Sequence, residues 1–323
     1  MTTSAQIPTL FMAAVVIGPY RRVFDKLEFE GRENRVELKH IAQHTGRLSS
    51  FLREEMAMSA GLMNRLKWQD RILVNGTPQH TDFQVRPGDE ITALLDAETP
   101  QYPAEPGELT VLYEDEHLLA VDKPAGMLIH PSRATLTGTL ANRVLAYYES
   151  TGQKCAFHPI TRLDRDTFGI VLLAKNPHVH ALLTQQQEEK TIQKTYHALV
   201  FGCPKCRSGE IDAPIARREL PSLLRYVNHK NGKPSLTRYE VVKCGEKRSL
   251  LALQPVTGRT HQLRVHCAYI GNPILGDPQY GSDASKALSE QLGYVTQQLC
   301  AKTLAFSHPI TGAPMTLTSK LDV

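Results

Sequence analysis

The chain has 323 residues, enough for about two domains at roughly 150 residues each. With 41% hydrophobic and 22% charged residues, it is too apolar for a disordered chain. No run approaches the roughly 18 uncharged apolar residues of a membrane span, and a net charge of +4 permits an anionic partner without requiring one.

Residues 1–35 have no clean period and read as an N-terminal extension, partly disordered. The apolar run from Leu10 to Ile17 lacks the preceding positive charge of a secretory signal, so a cytoplasmic protein is expected. Leu48, Phe51, Leu52 and Met56 recur at helical spacing. Ser59 is placed to cap a second amphipathic helix carrying Leu62, Met63 and Leu66. Ile72-Leu73-Val74 then predicts a strand, Asn75-Gly76 a tight turn, and Val85 to Ile91 a further turn entering a strand. Residues 36–96 therefore predict a small α+β module, with seven basic residues against eight acidic ones. Residues 97–108 form the expected linker, since the stretch from 96 to 108 holds three prolines and four acidic residues but no basic one.

Beyond residue 109, short β-branched runs dominate: Leu109–Tyr113, Leu118–Val121, Gly169–Ala174, Lys194–Phe201, Thr237–Val242, Leu250–Pro255 and Ala313–Leu317. Helical patterns fall at Leu136–Glu149, His178–Glu189 and Thr260–Ile270. Few strands alternate strictly with helices. This argues against a doubly wound parallel sheet and for an α+β domain, 109–323, built on a mixed, mainly antiparallel sheet. This part carries a charge of +7. Within it, Pro214–Arg238 sets six basic residues against Glu219 alone, a density that suits phosphate contacts and equally suits a solvated hairpin. The six cysteines, with no export signal, are expected as thiols. Cys203 and Cys206 lack the second ligand pair of a zinc site and read as two thiols in a turn.

The segment most suggestive of chemistry runs from His158 to Gly169, HPITRLDRDTFG, and feeds an apolar strand. Asp164 lies between Arg162 and Arg165, whose charges favour an ionised carboxylate. Such a group can act as nucleophile, base or metal ligand, or simply cap a turn and pair with a neighbouring arginine. A hydrolase using Asp164 with Asp166 is disfavoured, because two residues apart on an extended segment they face opposite ways.

Further segments join this one: K-P-A-G from Lys123, K-T-Y from Lys194, G-R-T-H-Q-L-R-V-H from Gly258 and N-P-I-L-G-D from Asn272. In this order and spacing they resemble the RluA family of RNA pseudouridine synthases, over about Leu109–Leu321. The central pattern departs at two places: Thr161 stands where His is usual, and Phe168 where Ser or Thr is usual. Residues 36–96 are similar to the S4-like RNA-binding domain that often precedes this catalytic domain.

The resemblance implies Asp164 as nucleophile, Arg264 as its ion-pair partner and Tyr196 stacked on the uracil. It implies Arg162 entering the vacated helix or binding a phosphate, and Leu263 as an apolar pocket wall. On the small module, Arg65, Lys67 and Arg71 would face phosphates. His261 and His266 belong to no recognisable ligand cluster and are read as hydrogen-bonding structure. The implied activity isomerises specific uridines in structured RNA, with no cofactor and no metal. The implied enzyme is a monomer with RNA as its partner and no membrane. Large-subunit ribosomal RNA is the expected substrate; transfer RNA and a catalytically inactive RNA-binding protein are the alternatives.

Overall fold

The structure is a computed structural model and describes residues 36–95, 100–132, 134–219, 222 and 224–323. The extension read at 1–35 and the first part of the linker lie outside the described residues.

Residues 36–95 build a four-stranded sheet in the order Val36–Ile41, Glu90–Leu95, Ile72–Val74, Thr77–Pro78. Leu48, Phe51, Leu52, Met63, Leu66, Ile72, Val74 and Ile91 form its own core. The helical spacing from Leu48 becomes one α-turn running into a π-helical turn, Phe51–Glu55. Ser59 caps the helix Ala60–Trp68 by accepting the Leu62 amide. Asn75 and Gly76 both take positive φ, as the tight turn demands, and Asn75 ties that turn to Asp89 and Glu90.

A ten-stranded sheet carries the rest. Its main path runs Ser208–Asp212, Leu236–Lys243, Arg248–Pro255, Gln193–Phe201, Leu299–Ser307, Phe168–Ala174, Leu118–Lys123, Thr110–Glu114. Every pairing is antiparallel except that of Phe168–Ala174 with Leu299–Ser307. The α+β, mainly antiparallel expectation therefore holds. Side chains alternate across the pleat. Leu118, Ala120, Ile170 and Leu172 pack under the helix Pro177–Glu188, while Leu119, Val121, Val171 and Leu173 pack under the helix Leu140–Ser150. With both faces covered, these strands read as unbroken apolar runs. On the other half of the sheet, Leu263 and Cys267 of the helix Gln262–Tyr269 pack on Val241, Leu251 and Leu253.

Two helices start later than their patterns suggest. Thr139 and Asn142 form a capping box, so the first begins at Leu140. His261 takes a left-handed conformation with φ 57, which delays the other to Gln262.

The cysteine expectation needs correction. Cys203 is disulfide-bonded to Cys244 across a Cα–Cα distance of 5.8 Å. Phe201 and Arg248 are paired, and Gly202 donates to the Lys247 carbonyl, so the two flanking loops lie side by side. Cys206 is exposed, and among the described residues no three His, Cys, Asp or Glu side chains group as metal ligands.

The register across the sheet positions the site. Lys123 pairs Gly169, Gly169 pairs Ala301, Ala301 pairs Tyr196, and Tyr196 pairs Leu253. Gly169 has φ 106, and a Cβ there would run into the Ala301 backbone. Replacing Gly169 by Ala is expected to cost about 2–5 kcal/mol, adding left-handed strain to a backbone clash. A urea midpoint within experimental error of wild type would contradict that.

Candidate active site

Asp164 sits in a tight turn between His158–Pro159 and Phe168–Ala174, closed by the Thr167 amide on the Asp164 carbonyl at 3.2 Å. Two anchors hold that turn. The Thr167 hydroxyl accepts from Gln297 at 3.1 Å. Lys123, fully buried, donates from Nζ to the carbonyls of Pro124, Met127 and Arg165 at 2.8, 2.9 and 2.8 Å. Burial pushes the Lys123 pKa down to about 8, against the pull of Asp166 and Asp164. The K-P-A-G loop is thereby clamped to the turn that carries Asp164. Arg165 and Asp166 pair with each other at 3.0 Å, with Arg165 outermost, so Asp166 does not join Asp164 as a second carboxylate.

Arg264 comes from the first turns of the helix Gln262–Tyr269 and is 5% exposed. Its Nη1 donates to Asp164 Oδ2 at 3.2 Å. Its stronger engagement is elsewhere: Nε and Nη2 grip both oxygens of Asp277 at 2.7 and 2.8 Å, and Nη2 also donates to Gln279 Oε1 at 2.8 Å. Asp277, 2% exposed, in turn accepts the amides of Gln279 and Tyr280 on Oδ1. Burial opposes the Arg264 charge, but Asp277 and then Asp164 outweigh it and raise its pKa. The guanidinium is therefore fixed on a buried carboxylate and offers its remaining edge to a half-exposed one.

Tyr196 lies two strands from Gly169 and packs against the core cluster that holds Leu263. Burial, followed by the Asp164 charge, pushes its hydroxyl pKa well above the ordinary range. A protonated phenol over an apolar floor, beside a carboxylate, is suited to holding a flat base. Leu263 is buried in that same cluster, so it supports Tyr196 from the core. Arg162 is exposed at the entry to the turn. Its charge, after burial, lowers the pKa of His130. Arg65 and Lys67 lie on the last turn of the helix Ala60–Trp68, and Arg71 follows it. Trp68 beside them is 83% exposed, with Lys67 Nζ 5.8 Å from its ring centroid.

Asp164, Arg264 and Tyr196 thus converge from three separate segments. The residues behind them were not singled out in the sequence. Lys123 and Asp277 fall inside segments that carry the family resemblance, which was the available signal; Gln297 has none. His266, read as structural, bonds Thr237 Oγ1 and the Ala213 carbonyl, both at 2.9 Å. His261, read the same way, places Nε2 3.8 Å from Asp164 Oδ2.

Comparison with known proteins identifies the family. The family model described as RNA pseudouridylate synthase matches residues 117–269. An uncharacterized RNA pseudouridine synthase of Bacillus subtilis (strain 168), YlyB, is 37% identical over 246 residues, 75% of this chain and 79% of that protein. The ribosomal large subunit pseudouridine synthase C of Vibrio vulnificus (strain CMCP6) is 32% identical over 288 residues, 85% of this chain and 89% of that protein. Among solved structures, human RNA pseudouridylate synthase domain containing 1 shares the fold. Its TM-score is 0.54 at 24% identity, covering 68% of this chain and 93% of that one. With these relatives and this arrangement of segments, the chain belongs to the RluA-type RNA pseudouridine synthases, enzymes that isomerise uridine in RNA to pseudouridine.

Proposed function

We propose that the chain modifies large-subunit ribosomal RNA, with Asp164 as its nucleophile, Arg264 as the cation that holds it and Tyr196 as the platform for the uracil. The single observation behind the catalytic reading is the chain of contacts from buried Asp277 through Arg264 to half-exposed Asp164. It holds the Asp164 carboxylate on Arg264, close enough to Tyr196 for its charge to act on the phenol. In the reaction the bond from C1′ to N1 breaks, the uracil turns, and C1′ bonds to C5. A proton leaves C5 and N1 gains one, so atoms and electrons balance without a redox partner or cofactor. Arg264 donates to Asp164 Oδ2 and sets its guanidinium charge against the carboxylate that reacts. Tyr196 retains the detached base, and its hydroxyl relays the C5 proton. The target nucleotide must leave its stack to arrive there, and Arg162 then fills the gap or holds a phosphate.

The ribosomal reading rests on the net charge of +7 beyond residue 109, on the basic hairpin Ile215–Arg217 with Arg225–Val227, and on the Vibrio relative. Residues 36–96 serve as an S4-like second contact surface, with Arg65, Lys67 and Arg71 on phosphates. The enzyme acts as a monomer.

Pseudouridine mapping in a strain lacking the gene tests this. Loss of sites in large-subunit ribosomal RNA is expected, restored by the wild-type gene and not by Asp164→Asn. Loss confined to transfer RNA would overturn the ribosomal substrate while leaving the chemistry. A chain lacking residues 1–96 is expected to modify fewer sites or modify them more slowly; an unchanged pattern and rate would show that the module is dispensable.

A further inference from the structure

Asp164 has two oxygens, and the structure treats them unequally. Arg264 Nη1 reaches Oδ2 at 3.2 Å, and His261 Nε2 lies 3.8 Å from the same oxygen. Among the described residues, Oδ1 takes no hydrogen bond.

The other side of the His261 ring bears on which nitrogen carries the proton. Nδ1 lies 2.8 Å from the Tyr280 hydroxyl. That hydroxyl already accepts the Arg225 backbone N–H at 3.0 Å. A phenol has one proton to donate, and neutral imidazole has one acceptor nitrogen. A proton on Nε2 faces the Asp164 carboxylate instead of setting a lone pair against it, and leaves Nδ1 to accept from Tyr280, in keeping with the Arg225 N–H on the Tyr280 oxygen. Tyr280 is itself held: the Arg264 guanidinium lies 4.9 Å from its ring centroid. Burial lowers the His261 pKa; Arg264 and Arg225 add to this against Asp164 and Asp277, so the neutral ring is the relevant form.

The left-handed backbone of His261 also fits an imposed geometry. A non-glycine residue at φ 57 costs free energy that the surroundings must offset.

We propose that His261 is a positioning residue for the isomerisation: Tyr280 locks its tautomer, and its Nε2–H joins Arg264 in holding Asp164 Oδ2, so that Oδ1 is the oxygen that reacts. The inference rests on the reading of Asp164 as nucleophile. At 3.8 Å the contact is longer than a hydrogen bond. Catalytic contacts of this kind tighten when substrate excludes water. The relay also ties the basic hairpin to the reaction centre, because the Arg225 amide that orients Tyr280 belongs to the strand Arg225–Val227.

The test uses the full-length protein and a uridine-containing RNA substrate, measuring single-turnover rate and RNA affinity separately. His261→Gln keeps an N–H donor near the Nε2 position; His261→Asn keeps only a group near Nδ1. Asn is the better left-handed residue, so a purely conformational role predicts that Asn outperforms Gln. The positioning role predicts the opposite order. His261→Asn should lose roughly 10- to 100-fold in rate, the worth of one hydrogen bond to a charged group, with RNA affinity unchanged. His261→Gln should recover most of that loss, and Tyr280→Phe should fall between wild type and His261→Asn. Asn matching wild type, Asn exceeding Gln, or a loss confined to RNA affinity would each overturn the proposal. Asp164→Asn run alongside separates the two readings. If it is inactive while His261→Asn is fully active, only the role of His261 fails. If it is active, the nucleophile assignment fails and the role of His261 falls with it.

Discussion

Asp164→Asn is expected to abolish pseudouridine formation in a chain that folds and binds RNA as before. The exchange is nearly isosteric, and the side chain is only partly buried, at 29% exposed. Its one short contact is the 3.2 Å donation from Arg264, which an amide oxygen can still accept. Arg264 remains neutralised by Asp277, so no buried cation is stranded. What disappears is the nucleophilic charge. Loss of a residue at the centre of covalent catalysis costs roughly 10⁴-fold or more in rate, about 5 kcal/mol of transition-state stabilisation. RNA affinity should hold, because phosphate contacts dominate it. Release of tritium from RNA labelled at uracil C5 measures the reaction. Activity within about tenfold of wild type would remove Asp164 from the nucleophile's role, since tenfold is only about 1.4 kcal/mol.

The second large effect concerns the support behind it. Arg264→Met should both unfold and inactivate, for separable reasons. The substitution strands the carboxylate of Asp277, whose side chain is fully buried. Breaking one half of a buried ion pair costs about 3–5 kcal/mol, because the remaining charge has no compensation. Adding Asp277→Asn removes that charge while its oxygen can still accept the Gln279 and Tyr280 amides. The double variant should therefore regain most of the lost stability, seen as a recovered urea midpoint at constant slope. Its activity should stay lost, because the cation that holds the Asp164 carboxylate is gone. Arg264→Lys should fall short on both counts, since one ammonium cannot reproduce the forked grip on Asp277 together with the reach to Asp164. A stability loss below about 1 kcal/mol for Arg264→Met would contradict the arrangement.

Much of this architecture was legible because buried strands are written in β-branched and leucine runs. Ile170 to Leu173 and Leu250 to Leu253 declare themselves. The strand Leu299–Ser307, LCAKTLAFS, does not: small residues and a lysine dilute it, and its burial comes from three neighbours at once. The helix Asp283–Gln291 was missed for a similar reason, since the residues it buries are Ser285 and Ser289, which leave no apolar period to find. At the site, the residues around it pointed to Asp164, and the family resemblance added Tyr196 and Arg264. Their supports are tertiary facts. A fully buried lysine satisfied by three carbonyls looks, in sequence, like any lysine before a proline. Asp277 acquires its partner only when the loop after the helix Gln262–Tyr269 folds back on that helix. The pairing of Cys203 with Cys244 depends on two loops meeting across 41 residues, which their spacing does not announce.

The one parallel pairing in the large sheet places a condition on synthesis. Leu299–Ser307 is the seam between the strand that follows Asp164 and the strand that carries Tyr196. A nascent chain that has exposed its first 298 residues holds both groups but lacks the strand that pairs with each of theirs. That strand begins more than a hundred residues downstream of Tyr196, so this part of the sheet closes only by long-range pairing, which is slow. The spacing between the Asp164 turn and the Tyr196 strand is therefore expected to be set late in synthesis, after most of the chain has emerged.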